Sequence, residues 1–411
     1  METRENLWVR GFIIIIAANF IFCFGFYALE PTLPLYVASL GASDAQLGLV
    51  ATGFFISAVI TRIFIGFLAD KLGRQVMLRT GATLSVAFML LYLVTSTSLN
   101  AALVRVLQGI GYGLVTTMFG SIAADILPDS RRGEGIGYLS MSTTGAVAFS
   151  PAVALTIVDK RGFHFMFFCA AGAMLLAAIC TYLIRVPSIT AQASPGSSQG
   201  APVSVKTSVW QKFYDPRVTV PGLLLFLYGI CRSSEQTFVP MLAEQQGLTL
   251  LSVFFVIKTW VCFGSKFLTG KLYDRKGPAA SIIPGGLAMA VGLGLLSVTR
   301  SNTMLLVVGV FSGLALGQIV PAFQAFIMDL VGRNRSLGNG LFYNFLDLGA
   351  AAGGFIMGVI SNQFGYFKMF RVGMALMLVY LVIYLLYLAR RGKKVPSETV
   401  DRMDSDNRKE C

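Results

Sequence analysis

Twelve times along the chain the sequence turns apolar for about 20 residues or more, the length a helix needs to cross a bilayer. The stretches lie near 11–37, 46–69, 77–96, 100–127, 136–158 and 163–184, and resume near 218–243, 249–270, 279–298, 303–328, 340–360 and 366–388. Several carry Gly or Pro inside, which membrane helices tolerate and water-exposed helices do not. Charged residues make up only 13% of the chain against 55% hydrophobic, whereas a soluble domain carries about 25% charged residues. That is too little charge to coat a water-facing surface, so a soluble multidomain enzyme is excluded. Arg4 and Arg10 precede the first stretch as in a signal peptide, but the run is too long for a signal core and lacks a small-residue cleavage site. It is read as a retained helix. The pattern predicts an all-α integral membrane protein with 12 transmembrane helices.

The basic residues predict its orientation. With the N-terminus inside, 23 of the 33 Lys and Arg fall on the cytoplasmic side and 5 outside, and the other 5 (Arg62, Arg105, Arg232, Lys258, Lys266) lie within spans. This asymmetry predicts cytoplasmic termini and an even number of spans. The net charge of +13 therefore reflects topology and anionic headgroups rather than nucleic acid. Residues 187–216 are rich in Ser, Gly, Ala and Pro without apolar period and read as a cytoplasmic linker. They separate a first six-helix bundle, 1–186, from a second, 217–389, and a charged tail occupies 390–411.

The two halves align at a constant offset. Adding 204 carries Arg62, Gly66, Asp70 and Gly73 onto Lys266, Gly270, Asp274 and Gly277, and Gly109, Gly113 and Asp125 onto Gly313, Gly317 and Asp329. Near the start of each half an offset of 206 matches Pro34 and Gly41 to Pro240 and Gly247. Composition alone does not produce such a register. It predicts two pseudo-symmetric six-helix bundles with a binding site between them at mid-membrane, as in secondary transporters.

The loop after the second span reads GFLADKLGR, from Gly66 to Arg74, and GKLYDRKGP from Gly270 is its weaker copy. The fourth span carries LVRVLQGIGYG, from Leu103 to Gly113. These stretches resemble the signature elements of the major facilitator superfamily, and the resemblance covers essentially all of 11–388. It implies the major facilitator fold and alternating access, with two rigid halves rocking about a central cavity. TGAVAFSPAVALT in the fifth span is similar to the motif of that family's exporter branch, with Ser150-Pro151 where Gly-Pro would stand and Ala154 and Leu155 in place of the final glycines.

The loop motifs have a physical reading. Asp70 can accept hydrogen bonds at the start of a neighbouring helix, while Lys71 and Arg74 reach Asp125 at the end of the fourth span. Together with Gly66 and Gly73 they form an expected gating latch between the halves. Gly270, Asp274, Arg275, Gly277 and Asp329 form its second copy. Arg62 and Lys266 lie one turn from the membrane edge and read as snorkelling or structurally paired bases.

Ionisable groups inside the membrane are costly, so each is a candidate for function. Glu30 and Arg105 lie at comparable depth and are expected to face each other, as a proton-coupling pair or a permanent salt bridge. The resemblance gives Arg105 weight, because the arginine of that fourth-span element is linked to proton coupling in the exporter branch. Arg232 and Glu235 share a face three residues apart, as ligand contacts or as an ion pair neutralising itself. Lys258 and Asp347 form a further cavity set, either facing a ligand or pairing with each other, with Asn344 on a similar face to Asp347.

These readings lead to a secondary transporter, foremost a proton-coupled antiporter exporting a drug-like compound or a secreted metabolite such as a metallophore. Proton-linked uptake or facilitated diffusion of a nutrient or organic acid is the alternative, separable by flux direction. A membrane-embedded enzyme or sensor is disfavoured. There is one histidine, His164, and no CxxC pair among the six cysteines; GIGYG lies inside an apolar helix without a following Lys-Ser or Lys-Thr, unlike a phosphate loop. The expected partners are a small-molecule substrate and the lipid of the cell membrane, with no nucleic acid. The chain is expected to act as a monomer, with no cofactor and no bound metal, driven by a proton gradient.

Overall fold

The computed structural model describes residues 7–128, 131–184, 216–331 and 335–392. They form 13 α-helices, with no strand among the described residues. α1 (Arg10–Tyr27) and α2 (Leu29–Ser39) make the first span; Pro31 offers no N–H to the Tyr27 carbonyl and crowds it, which accounts for the interruption at Ala28. The other eleven spans follow as α3 (Asp44–Leu72), α4 (Arg74–Leu91), α5 (Ser98–Ile126), α6 (Arg132–Arg161), α7 (Phe163–Leu183), α8 (Thr219–Gln245), α9 (Leu251–Lys276), α10 (Ala279–Leu296), α11 (Asn302–Val331), α12 (Arg335–Phe364) and α13 (Tyr366–Gly392). The predicted linker, apart from Pro216, and the tail beyond Gly392 lie outside the described residues.

Eleven spans are long and apolar enough to cross a membrane by composition. The exception is α8, which is 27 residues long and carries Arg232, Ser233, Ser234, Glu235 and Gln236 at its centre. Protein surrounds this polar segment: Ser233, Ser234 and Glu235 are buried. A helix shielded from lipid does not need an apolar outer face.

The repeat is visible in the backbone. Six glycines among the described residues have positive φ, and they form three matched pairs: Gly41 with Gly247, Gly73 with Gly277, and Gly162 with Gly365. Each pair ends a helix at the same place in its half, where a side chain on the residue would be strained. The helix contacts repeat as well. Gly109 on α5 faces the Phe54 carbonyl of α3 and Gly113 that of Ala58, while Gly313 on α11 faces the Lys258 carbonyl of α9 and Gly317 that of Cys262. All four partners obey the offset of 204. Small residues therefore bring the backbones of α3 and α5, and of α9 and α11, close together. This fixes the helices that line the centre.

Candidate functional site: a charged central cavity

A cavity of about 290 Å³ lies between the halves, lined by α1, α2, α3, α5 and α6 on one side and α8, α9, α11 and α12 on the other. At the end carrying Asp44, α3 closes against α12. A Cβ on Gly354 would stand 2.8 Å from the Gly48 carbonyl oxygen, and one on Gly358 2.9 Å from that of Asp44. Thr52 Oγ1 donates to the Ala351 carbonyl at 2.7 Å, and Tyr366 Oη to Asp44 Oδ1 at 2.7 Å. From Leu47 and Val50 near this seam, the lining continues toward the Arg74 end as far as Lys266 and Gln324.

Among the described residues, seven charged side chains line the cavity: Glu30, Arg62, Arg105, Arg232, Lys258, Lys266 and Asp347. Arg62 on α3 is ion-paired with Asp347 on α12, joining the halves, and its guanidinium lies 5.7 Å from the Tyr112 ring centre and 5.5 Å from that of Tyr343. Lys258 Nζ donates to Glu235 Oε1 at 2.5 Å. Glu30 accepts a hydrogen bond from the Gln236 amide, another bond between the halves. Arg105 donates to Gln108 Oε1 at 2.8 Å and stands 4.2 Å over the Phe54 ring. Lys266 Nζ donates to Thr144 Oγ1 at 2.8 Å, from α9 to α6. Arg232 has no hydrogen-bonded or ion-paired carboxylate among the described residues, although Glu30 lies within its electrostatic reach.

The structure gathers most of the sequence candidates at one site but pairs them differently. Glu30 and Arg105 both line the cavity without bonding; Glu30 turns to Gln236 and Arg105 to Gln108. Arg232 and Glu235 do not pair, because Arg232 faces the cavity while Glu235 turns to Lys258 on α9. Lys258 and Asp347 do not pair either, each being taken by another partner. Asn344 is not on the lining; Tyr343, one turn before Asp347, takes that place. Arg62 and Lys266, read as snorkelling or structurally paired bases, both line the cavity; Arg62 is paired, with Asp347, and Lys266 meets the Thr144 hydroxyl, each in the opposite half. Their matched repeat positions were the available signal. Gln236 was missed altogether, since an amide beside charged residues carries no sequence mark of its own.

The family model for the Major Facilitator Superfamily matches residues 15–297 and 259–405. The chain belongs to the Major Facilitator Superfamily. It is 22% identical over 369 residues to the staphylopine export protein of Staphylococcus aureus strain Mu50, covering 86% of this chain and 90% of that one. It is 26% identical over 419 residues to the multidrug resistance protein MdtG of Enterobacter lignolyticus, covering 97% of each. Among solved structures, the nucleoside transporter NupG superposes with a TM-score of 0.71 at 14% identity, over 92% of this chain and 99% of that one. This is a multi-pass membrane protein, a Major Facilitator Superfamily secondary transporter.

The superfamily's loop elements hold helices together within each half. Gly73, with φ +85°, ends α3 and starts α4, and Gly277 at +75° ends α9 just before Pro278, the N-cap of α10. Arg74 is ion-paired with Asp125, linking α4 to α5. At the matching place in the second half stands Pro278, and Asp329 instead accepts from Tyr273 Oη at 2.6 Å. The expected pairing of Arg74 with Asp125 is thus present, but it joins two helices of the first half rather than the two halves. Lys71 and Arg275 are exposed, and the side of Gly270 faces open space. The side chains of Asp70 and Asp274, and the surroundings of Gly66, lie outside the described residues. In the exporter-like stretch, Ser150 Oγ donates to the Phe24 carbonyl at 2.5 Å. A serine thus fits where glycine was expected, because its hydroxyl finds an acceptor on α1.

Proposed function

We propose that this chain is a proton-coupled antiporter of the cell membrane that exports a small organic molecule by alternating access, with Glu30 carrying the proton. The carrying observation is the cavity between the halves, closed at the Asp44 end by contacts that all join α3 to α12 and α13. Such contacts can part while each half moves as a body. The basic residues assign the Arg74 end to the cytoplasm, so the cavity is sealed on the outer side. Export agrees with the names of the staphylopine export protein and MdtG, and their breadth allows a drug-like compound or a secreted metallophore as cargo. The chain works as a monomer in the bilayer without a cofactor.

Glu30 is singled out by its partners. Asp347 has Arg62 and Glu235 has Lys258, so protonating either breaks an ion pair. Glu30 accepts from a neutral amide and faces the cavity. It can therefore gain a proton when the cavity opens outward and lose it inside. The test is exchange in proteoliposomes under an imposed pH gradient, comparing wild type, Glu30→Gln and Glu235→Gln. Wild type and Glu235→Gln are expected to respond to the gradient, while Glu30→Gln exchanges substrate without responding. Equal rates with and without the gradient in wild type would overturn proton coupling.

A further inference from the structure

The described cavity lining carries five cations and two carboxylates, and counting Glu235 behind Lys258 leaves two positive charges without a carboxylate. Unmatched charge inside a membrane protein is costly and is kept where something meets it. The repeat shows where the imbalance arises. α6 and α12 are each 30 residues long and are followed by the matched turn glycines Gly162 and Gly365, an offset of 203. At that offset Thr144 matches Asp347, while Arg62 matches Lys266 at 204. The Lys266–Thr144 bond is thus the symmetry mate of the Arg62–Asp347 ion pair, with a hydroxyl standing where its twin has a carboxylate. Arg232 lies within electrostatic reach of Lys266 and likewise has no bonded carboxylate among the described residues.

We propose that the transported substrate, on the transporter reading above, is an organic anion with at least two negative groups and an aromatic body, and that Lys266 and Arg232 bind one of those groups. The anion supplies at α6 and α9 the charge that Asp347 supplies at α3 and α12. Arg105 carries the remaining excess positive charge and rests on Phe54, placing a second anionic group beside an aromatic wall. Thr144 is the specificity-determining position, since a carboxylate there would neutralise Lys266 and close the site to anions.

The test measures binding to the full-length protein in detergent by titration calorimetry. The probes are phenylsuccinate, its monoamide, its diamide and the phenethylammonium cation, and the proteins are wild type, Lys266→Gln, Arg232→Gln and Thr144→Asp. In wild type the dianion is expected to bind more tightly than the diamide by about 30-fold or more, the scale of a desolvated charge pair. Lys266→Gln, Arg232→Gln and Thr144→Asp each reduce dianion affinity by a similar factor and leave the diamide unchanged. Thr144→Asp removes no cation and adds an ion pair already present in the twin, so a purely structural Lys266 predicts no loss of anion preference. Wild-type preference for the cation or the diamide overturns the proposal, as does an unchanged preference in Thr144→Asp. Flux of the same probes in proteoliposomes separates the two levels. Movement of the cation alone refutes the anion site and keeps the transporter. Selective dianion binding with no flux of any probe keeps the anion site and refutes the dianion as the transported substrate.

Discussion

Replacing Gly354 by leucine should open the cavity at the Asp44 end. A Cβ at this position stands 2.8 Å from the Gly48 carbonyl oxygen and 2.9 Å from Thr52 Oγ1, well inside ordinary contact. The larger leucine atoms beyond it have no space unless α12 leaves α3. Overpacking of this kind costs about 1–3 kcal/mol. Separation also breaks the Thr52–Ala351 and Tyr366–Asp44 hydrogen bonds, but opening breaks them in the parent too, so they cancel from the difference. The closed state is therefore disfavoured by about 1–3 kcal/mol, which shifts the balance between the two states by about fivefold to 150-fold. The readout is the labelling rate of Ser233→Cys, a buried residue of the cavity lining, in a background otherwise free of cysteine. An impermeant maleimide is supplied from the Asp44 side. Gly172→Leu is the control, because the side of Gly172 faces open space. Labelling should rise steeply in Gly354→Leu and stay at the parent rate in Gly172→Leu. Equal rates in both would falsify the assignment of the α3–α12 seam as the closed gate.

Two further substitutions probe the framework that holds the site. Asp347→Asn strands the Arg62 guanidinium, whose side chain is 14% exposed, and should lower stability by about 3–5 kcal/mol, read as a lower melting temperature in detergent. The double substitution with Arg62→Gln should recover most of that loss, and a double variant as unstable as the sum of the singles would show that the two do not act as a pair. Gly317→Ala puts a methyl group 2.5 Å from the Cys262 carbonyl and should cost about 1–3 kcal/mol. Gly264→Ala, on an open face of α9, should be neutral, and equal melting temperatures for the two would count against close packing of α9 and α11.

Position along a span is legible in sequence, while rotation about the helix axis is legible only in part. Glu30 and Arg105 were placed in one region by depth, and both do line the cavity, but nothing in their order turns one toward the other. Residues three apart on a helix differ by about 60° in direction, and residues four apart by about 40°. That difference decides two outcomes. Arg232 faces the cavity while Glu235, three residues on, turns against α9. On α12 it is Tyr343, four residues before Asp347, that shares the lining, and Asn344 is lost from it. Partner choice across the halves, such as Arg62 with Asp347, is set by which helices neighbour each other at the seam. The repeat register was more informative, because it paired Arg62 with Lys266 from residue numbers alone.

The departures from that repeat give the two seams different characters. At the offset of 203, Gly354 and Gly358 on α12 correspond to Pro151 and Leu155 on α6, and Gly48 corresponds at 204 to Ser252 on α9. The α3–α12 seam therefore closes backbone to backbone, whereas α6 and α9 meet through side chains, with Phe149 and Trp260 edge to face at 6.2 Å. Contact between backbones falls off within an ångström of separation, while a pair of large rings tolerates sliding. On the alternating-access proposal, the first seam is suited to act as a two-position gate and the second as a compliant hinge. Charge follows the same division, since the gate carries the internally neutral Arg62–Asp347 pair and the hinge carries Lys266 against a hydroxyl. On the anion proposal, the ligand completes the pairing at the compliant seam, where a change in charge meets the least resistance from packing. An occupied Lys266 then presents the moving halves with two neutral seams instead of one, and substrate loading becomes the event that equalises them.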